Sequence, residues 1–138
     1  MKPIYYAHSK GSDKKDWERL IVHLRNVAAR CKTFSEAFGC GVLGEFAGLL
    51  HDIGKYASEF VLRLEGKAVK IDHSTAGAIA ADKHISVRLL ARMIQYVIAG
   101  HHGGLPNFHP LNEAGSLRGR LLKTVNDYSA YQTEVVFP

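Results

Sequence analysis

VLGEFAGLLHDIGK, residues 42–55, is the stretch on which the reading of this chain turns. Up to Leu50 it is apolar nearly all round, as expected of a helix buried at the centre of a fold rather than laid on its surface. The predicted helix, Val42 to Ile53, then meets His51, Asp52 and Lys55, three groups that dislike an apolar interior. His51 and Asp52 are adjacent, so on a regular helix their side chains diverge by ~100°. They can reach one point only if the helix end loosens, or else approach different partners from one edge. Gly54 is placed to provide such a bend.

Helical periodicity dominates on both sides. In DKKDWERLIVHLRNVAARCKTFSEAFG, residues 13–39, Trp17, Leu20, Ile21, Leu24, Val27, Ala28 and Cys31 recur at steps of three and four, which predicts one long helix with Asp13 as its N-cap. His23 falls about a quarter turn from the centre of that face, at the rim of the core. ASEFVLRLEG, residues 57–66, reads as a short helix closed by Gly66, and KAVKI, residues 67–71, as a turn or brief strand. Asp72 is a plausible cap for DHSTAGAIAADKH, whose small residues let helices approach closely. SVRLLARMIQYVIAG, residues 86–100, predicts another helix, stopped by the Gly- and Pro-rich HHGGLPNFHP. Residues 114–132 predict a last helix with Leu117, Leu121, Leu122 and Val125 as its apolar side, while residues 1–12 look irregular. Few segments alternate with the period of a strand, so the expected fold is all-α: one compact helical bundle spanning residues 1–138.

Composition narrows the class. At 46% apolar and 22% charged residues the chain has the proportions of a soluble globular protein. Arg88, Arg92 and Gln95 interrupt the longest apolar stretch, which excludes a bilayer span there and predicts no membrane partner. The opening MKPIYYAHSK lacks the apolar core of a signal peptide, so a cytoplasmic location and free thiols at Cys31 and Cys40 are expected. The formal charge of +5 favours an anionic partner without requiring one.

Histidine is the informative residue, with eight in the chain. His23, His51, His73, His101 and His102, with Asp52, stand at the ends or rims of apolar segments. One such group is ordinarily a hydrogen-bonded core residue. Several together need a common partner, because burying each polar side chain alone costs on the order of 1–3 kcal/mol. A divalent cation is the economical one: neutral imidazole and carboxylate are its usual ligands, and a carboxylate can bridge two cations through its two oxygens. The spacings are not those of an HExxH helix or a zinc ribbon.

The motifs YAHS, Trp17–Leu20–His23–Leu24 with Val27 and Ala28, GLLHDIGK, DHSTAGA and IAGHHGGLP occur in this order between residues 5 and 106. Together they resemble the HD phosphohydrolase superfamily, and within it the HD nuclease domain of CRISPR-associated Cas3 proteins. The resemblance implies an all-helical Cas3-type HD domain holding one or two divalent metal ions (Mn, Ni, Fe, Mg, Co or Zn). It implies His23, His51, Asp52, His73, His101 and His102 as metal ligands, and Lys55 beside Asp52 as a catalytic residue contacting a phosphate. It also implies single-stranded DNA, and in some members RNA, as substrate, with a Cas3 helicase domain and the CRISPR surveillance complex Cascade as partners in antiviral defence. His8 in the opening motif reads as a supporting or surface residue rather than a ligand, and His84 and His109 as exposed. The family has a later acidic or polar residue that closes the first metal site. Asp127 is the available candidate, though close to His102; otherwise the chain ends before that ligand, and the apolar end VVFP favours a truncated domain. Two rival readings use the same residues: an HD-type phosphohydrolase acting on nucleotides or small phosphate esters, and an inactive, metal-stabilised docking module for a helicase.

Overall fold

A computed structural model describes residues 3–109, 113 and 115–138. Of the described residues 58% are helical, in six α-helices and short 3-10 turns, and a two-stranded ribbon accompanies them. The all-α expectation holds. The ribbon pairs β1 (Tyr6–His8) antiparallel with β2 (Glu18–Arg19), and the Leu20 amide donates to the Tyr5 carbonyl at 2.9 Å, tying the ribbon to the first helix.

That helix, α1 (Leu20–Glu36), begins later than its periodicity suggested. Asp13 does act as a cap, but of a separate 3-10 turn, Lys14–Asp16, where its side chain accepts the Lys15 amide. Trp17 is buried on the ribbon side, donating its indole N–H to the Gly11 carbonyl at 3.3 Å. The 17, 20, 21, 24 pattern therefore joins Trp17, at the end of the turn, to the buried face of α1 across a two-residue strand that is not itself buried. Leu20, Ile21, Leu24 and Ala28 form the buried face of α1.

Against it lies α2 (Gly41–Leu50), so close that a methyl at Gly48 would collide with the backbone of Ala28. Leu50 is the last regular residue of α2. His51 stays helical, but Asp52 swings to φ −118°, ψ 12°, and a 3-10 turn, Ile53–Tyr56, follows. The loosening that His51 and Asp52 require is thus present at Asp52 itself. Gly54 has another duty: any side chain there would run into the backbone of His73.

Next come α3 (Ser58–Leu64) and α4 (His73–His84), with Gly66 in the left-handed region after α3 and no strand in the connection between them. The Asp72 side chain caps α4 through the Thr75 amide at 3.1 Å. Ser74 to Ala78 are all buried, and a methyl at Gly77 would strike the Leu50 carbonyl, so the small residues do permit close packing. Ala91, Ile94, Gln95, Ile98 and Ala99 form the buried face of α5 (Arg88–Gly100).

The last predicted helix is much shorter, α6 (Leu117–Leu121), and the expected start at residue 114 lies outside the described residues. Beyond it the chain runs irregularly into a 3-10 turn, Ser129–Thr133, where Tyr131 is buried. His84, expected to be exposed, is half-buried instead: it bonds the Tyr131 hydroxyl at 2.8 Å and stacks on Phe137. His109 is exposed, and Cys31 and Cys40 are free thiols. Among the described residues no helix is long and apolar enough to cross a membrane.

Candidate metal centre

Four elements deliver side chains to one point. His23 comes from the first turn of α1, His51 and Asp52 from the end of α2, His73 from the start of α4, and His101 and His102 from the end of α5. Asp52 is at the centre, only 3% exposed. Its Oδ2 lies 3.3 Å from His23 Nε2 and 3.2 Å from His51 Nε2. Its Oδ1 lies 3.1 Å from His73 Nε2 and 3.6 Å from His101 Nε2. His102 Nε2 is 2.8 Å from His73 Nε2. The six residues thus divide into two sets that share Asp52: His23 and His51 on one side, and His73, His101 and His102 on the other.

The opposite ring nitrogens indicate what these atoms are for. His51 Nδ1 donates to the Gly48 carbonyl at 2.7 Å, and His101 Nδ1 donates to the Ile98 carbonyl at 2.6 Å. A carbonyl only accepts, so each Nδ1 carries the proton and the neutral ring presents a lone pair at Nε2. Those lone pairs are directed at a carboxylate, which also only accepts. Asp52 Oδ1 is accordingly buried without a hydrogen bond, an arrangement that costs about 1–3 kcal/mol unless something positive lies between the acceptors. The Lys55 ammonium, 2.9 Å from Oδ2, favours the ionised form of Asp52. An ionised carboxylate ringed by imidazole lone pairs is the donor set of a divalent cation.

Lys55 is 5% exposed, with Nζ 2.9 Å from Asp52 Oδ2 and donating to the Ala7 carbonyl at 3.1 Å. The sequence-based expectation sets it against a substrate phosphate; in the structure its ammonium is buried against Asp52. Asp127 does not belong to the cluster. Its Oδ1 accepts the Ser129 amide at 2.9 Å and so initiates the last 3-10 turn, as an aspartate two residues before a turn amide commonly does.

One neighbour was missed. Glu18 Oε2 lies 3.3 Å from His23 Nδ1, on the side of the ring away from Asp52. His8, whose side chain is 57% exposed, packs its ring edge-on to His23 at 5.0 Å between centroids, with Nε2 4.0 Å from Glu18 Oε2. No sequence signal marked Glu18, because the periodicity of residues 17–24 placed it within a continuous helix. Burial and the charge of Lys55 hold the His8 pKa below its ordinary value.

Two clefts flank the centre, each with His102 in its wall. One of about 370 Å³ is lined by Arg63, Lys70, Asp72, His73 and Ser74, and one of about 340 Å³ by Ser74, Gly103, Gly104 and Arg120. Arg120 is held in place by the Ala99 carbonyl, Ser74 and Thr75, with Asp72 at 3.2 Å.

No curated protein matches the chain. Residues 20–131 match the HD domain, an interval that begins at α1 and takes in every member of the cluster. With adjacent His51 and Asp52 at the focus of that cluster and most of the length matched, the chain belongs to the HD domain family, whose members are typically metal-dependent hydrolases.

Proposed function

We propose that the protein is a metal-dependent endonuclease that hydrolyses phosphodiester bonds in single-stranded DNA, and in RNA where it is offered, as part of CRISPR interference. The observation that carries the reading is the convergence of imidazole lone pairs on one shared, ionised carboxylate beside open, cationic clefts. His23, His51 and Asp52 would hold one divalent cation, and Asp52, His73, His101 and His102 a second. Cations so placed supply Lewis-acid stabilisation of charge on a phosphoryl group and acidify water.

The chain's own residues do the rest. Lys55 keeps Asp52 ionised and fixed. The carbonyls of Gly48 and Ile98 fix the rings of His51 and His101. Arg63 and Lys70 line the cleft beside His73 and His102, where a polyanionic strand gains from positive charge. Among the described residues the walls of that cleft include no Phe, Tyr or Trp on which a base could stack, which favours a grip on phosphates and cleavage without sequence preference. A Cas3 helicase domain and a CRISPR surveillance complex are proposed as partners from the motif resemblance, and co-purification tests them.

The deciding experiment combines elemental analysis of the purified protein with nicking of closed circular single-stranded DNA across a series of divalent metals. Metal-dependent nicking, abolished in His51→Ala and in Asp52→Ala, is the expected result. Hydrolysis of nucleotides with circles left intact would favour the small-ester reading. Metal bound without any hydrolysis, in wild type and variants alike, would favour a docking module.

A further inference from the structure

We infer that Glu18 is a positioning residue for His23: its carboxylate holds the proton on Nδ1 and thereby keeps Nε2 turned toward Asp52 and His51. The inference rests on reading the His/Asp cluster as a metal centre, and it concerns a residue outside the set that would touch the metal.

The geometry is specific. His51 and His101 each have Nδ1 bonded to a backbone carbonyl of their own helix, three residues earlier. His23 stands in the first turn of α1, and its Nδ1 faces Glu18 rather than the carbonyl of Leu20, three residues earlier. Glu18 on β2 supplies an anionic acceptor there instead, 3.3 Å from Nδ1. The ribbon makes this possible. Pairing of Glu18 with His8, and of Arg19 with Tyr6, aims the Glu18 side chain back over α1. A carboxylate behind a ligating imidazole fixes the ring's tautomer and raises its basicity, and loss of such a partner typically weakens metal binding ~10–100-fold.

The same three residues, His8, Glu18 and His23, also lie close enough to hold a cation of their own, and this is the competing assignment. The test separates them. Full-length protein is labelled with 15N, and ring-nitrogen resonances are recorded metal-free at mildly alkaline pH. Manganese(II) is then titrated by calorimetry. Wild type should show His23 Nδ1 as a protonated, pyrrole-type nitrogen. Glu18→Ala should move it toward the unprotonated, pyridine-type position and weaken manganese binding ~10–100-fold. Glu18→Gln, whose amide oxygen still accepts, should restore the resonance and most of the affinity, which a loss of fold would not allow. His8→Ala should change neither.

An unmoved His23 resonance in Glu18→Ala overturns the inference. So does the loss of one bound manganese in Glu18→Ala, Glu18→Gln and His8→Ala alike, which would make Glu18 a ligand of a separate cation. If the resonance responds as described but wild type binds no manganese, the positioning of His23 stands and the function proposed above falls.

Discussion

At the scale of single residues, Lys55 is the buried cation beside the cluster. Its ammonium lies against the Asp52 carboxylate from a site that is nearly closed to water. Removing one partner of a buried pair leaves the other charge uncompensated, at a cost of about 3–5 kcal/mol. Lys55→Met should therefore lower the stability of metal-free protein by about 3 kcal/mol, since the surrounding imidazoles can take up part of the charge. The loss should shrink once divalent metal is added. Urea unfolding with and without chelator measures this, and an equal loss in both would contradict the role given to Lys55. The residues that converge, His23, His51, Asp52, His73, His101 and His102, were legible in the sequence because polar groups are repeated at the ends of apolar segments. Glu18 was not, because its relation to His23 depends on a short strand pairing with residues 6–8, while Asp127 is engaged in a local turn outside the cluster.

At the scale of elements, α4 is held at its start by a junction centred on Asp72. Its side chain accepts from the Thr75 amide and hydroxyl, and faces Arg120 of α6 at 3.2 Å and Lys123 at 3.5 Å. Burial pushes the Asp72 carboxyl up, but the Thr75 bonds and the charges of Arg120 and Lys123 outweigh it and leave the pKa at about 2. An unfolded aspartate titrates near ~3.9. The folded value is the lower one, so the stabilisation is full above about pH 4 and is lost as the pH falls toward about 2. Asp72→Ala should cost ~1 kcal/mol near neutrality through the lost cap. It should also flatten the fall of melting temperature between about pH 4 and pH 2, which thermal melts of both proteins across that interval would check; parallel curves would count against it. The cap itself could be read from the sequence, as could α3, α4 and α5. The end of α2 and the extent of α6 could not. The first breaks where Asp52 must turn toward four imidazoles, and the second gives way to an irregular segment and a 3-10 turn around the buried Tyr128 and Tyr131.

At the scale of the whole molecule, the centre draws on α1, α2, α4 and α5 at once, so its occupancy bears on the stability of all four. A ligand at a hundredfold excess over its Kd stabilises the folded state by ~2.7 kcal/mol, and a chain of this size gains ~2–4 °C for each kcal/mol. Stripping the metal with a chelator should lower the melting temperature by about 5–10 °C, and restoring a divalent metal should recover it. A chelator-insensitive melt of protein shown to contain metal would oppose that coupling. The overall class was legible because helical periods are local, whereas the ribbon that feeds His23 is two short strands with no pattern of their own. The ring bonds from His51 to Gly48 and from His101 to Ile98 tie each imidazole to the final turn of its own helix. Charge drawn from a ring is thereby passed back to that carbonyl. The centre works as a clasp: whatever it grasps tightens the very helix ends that hold it open.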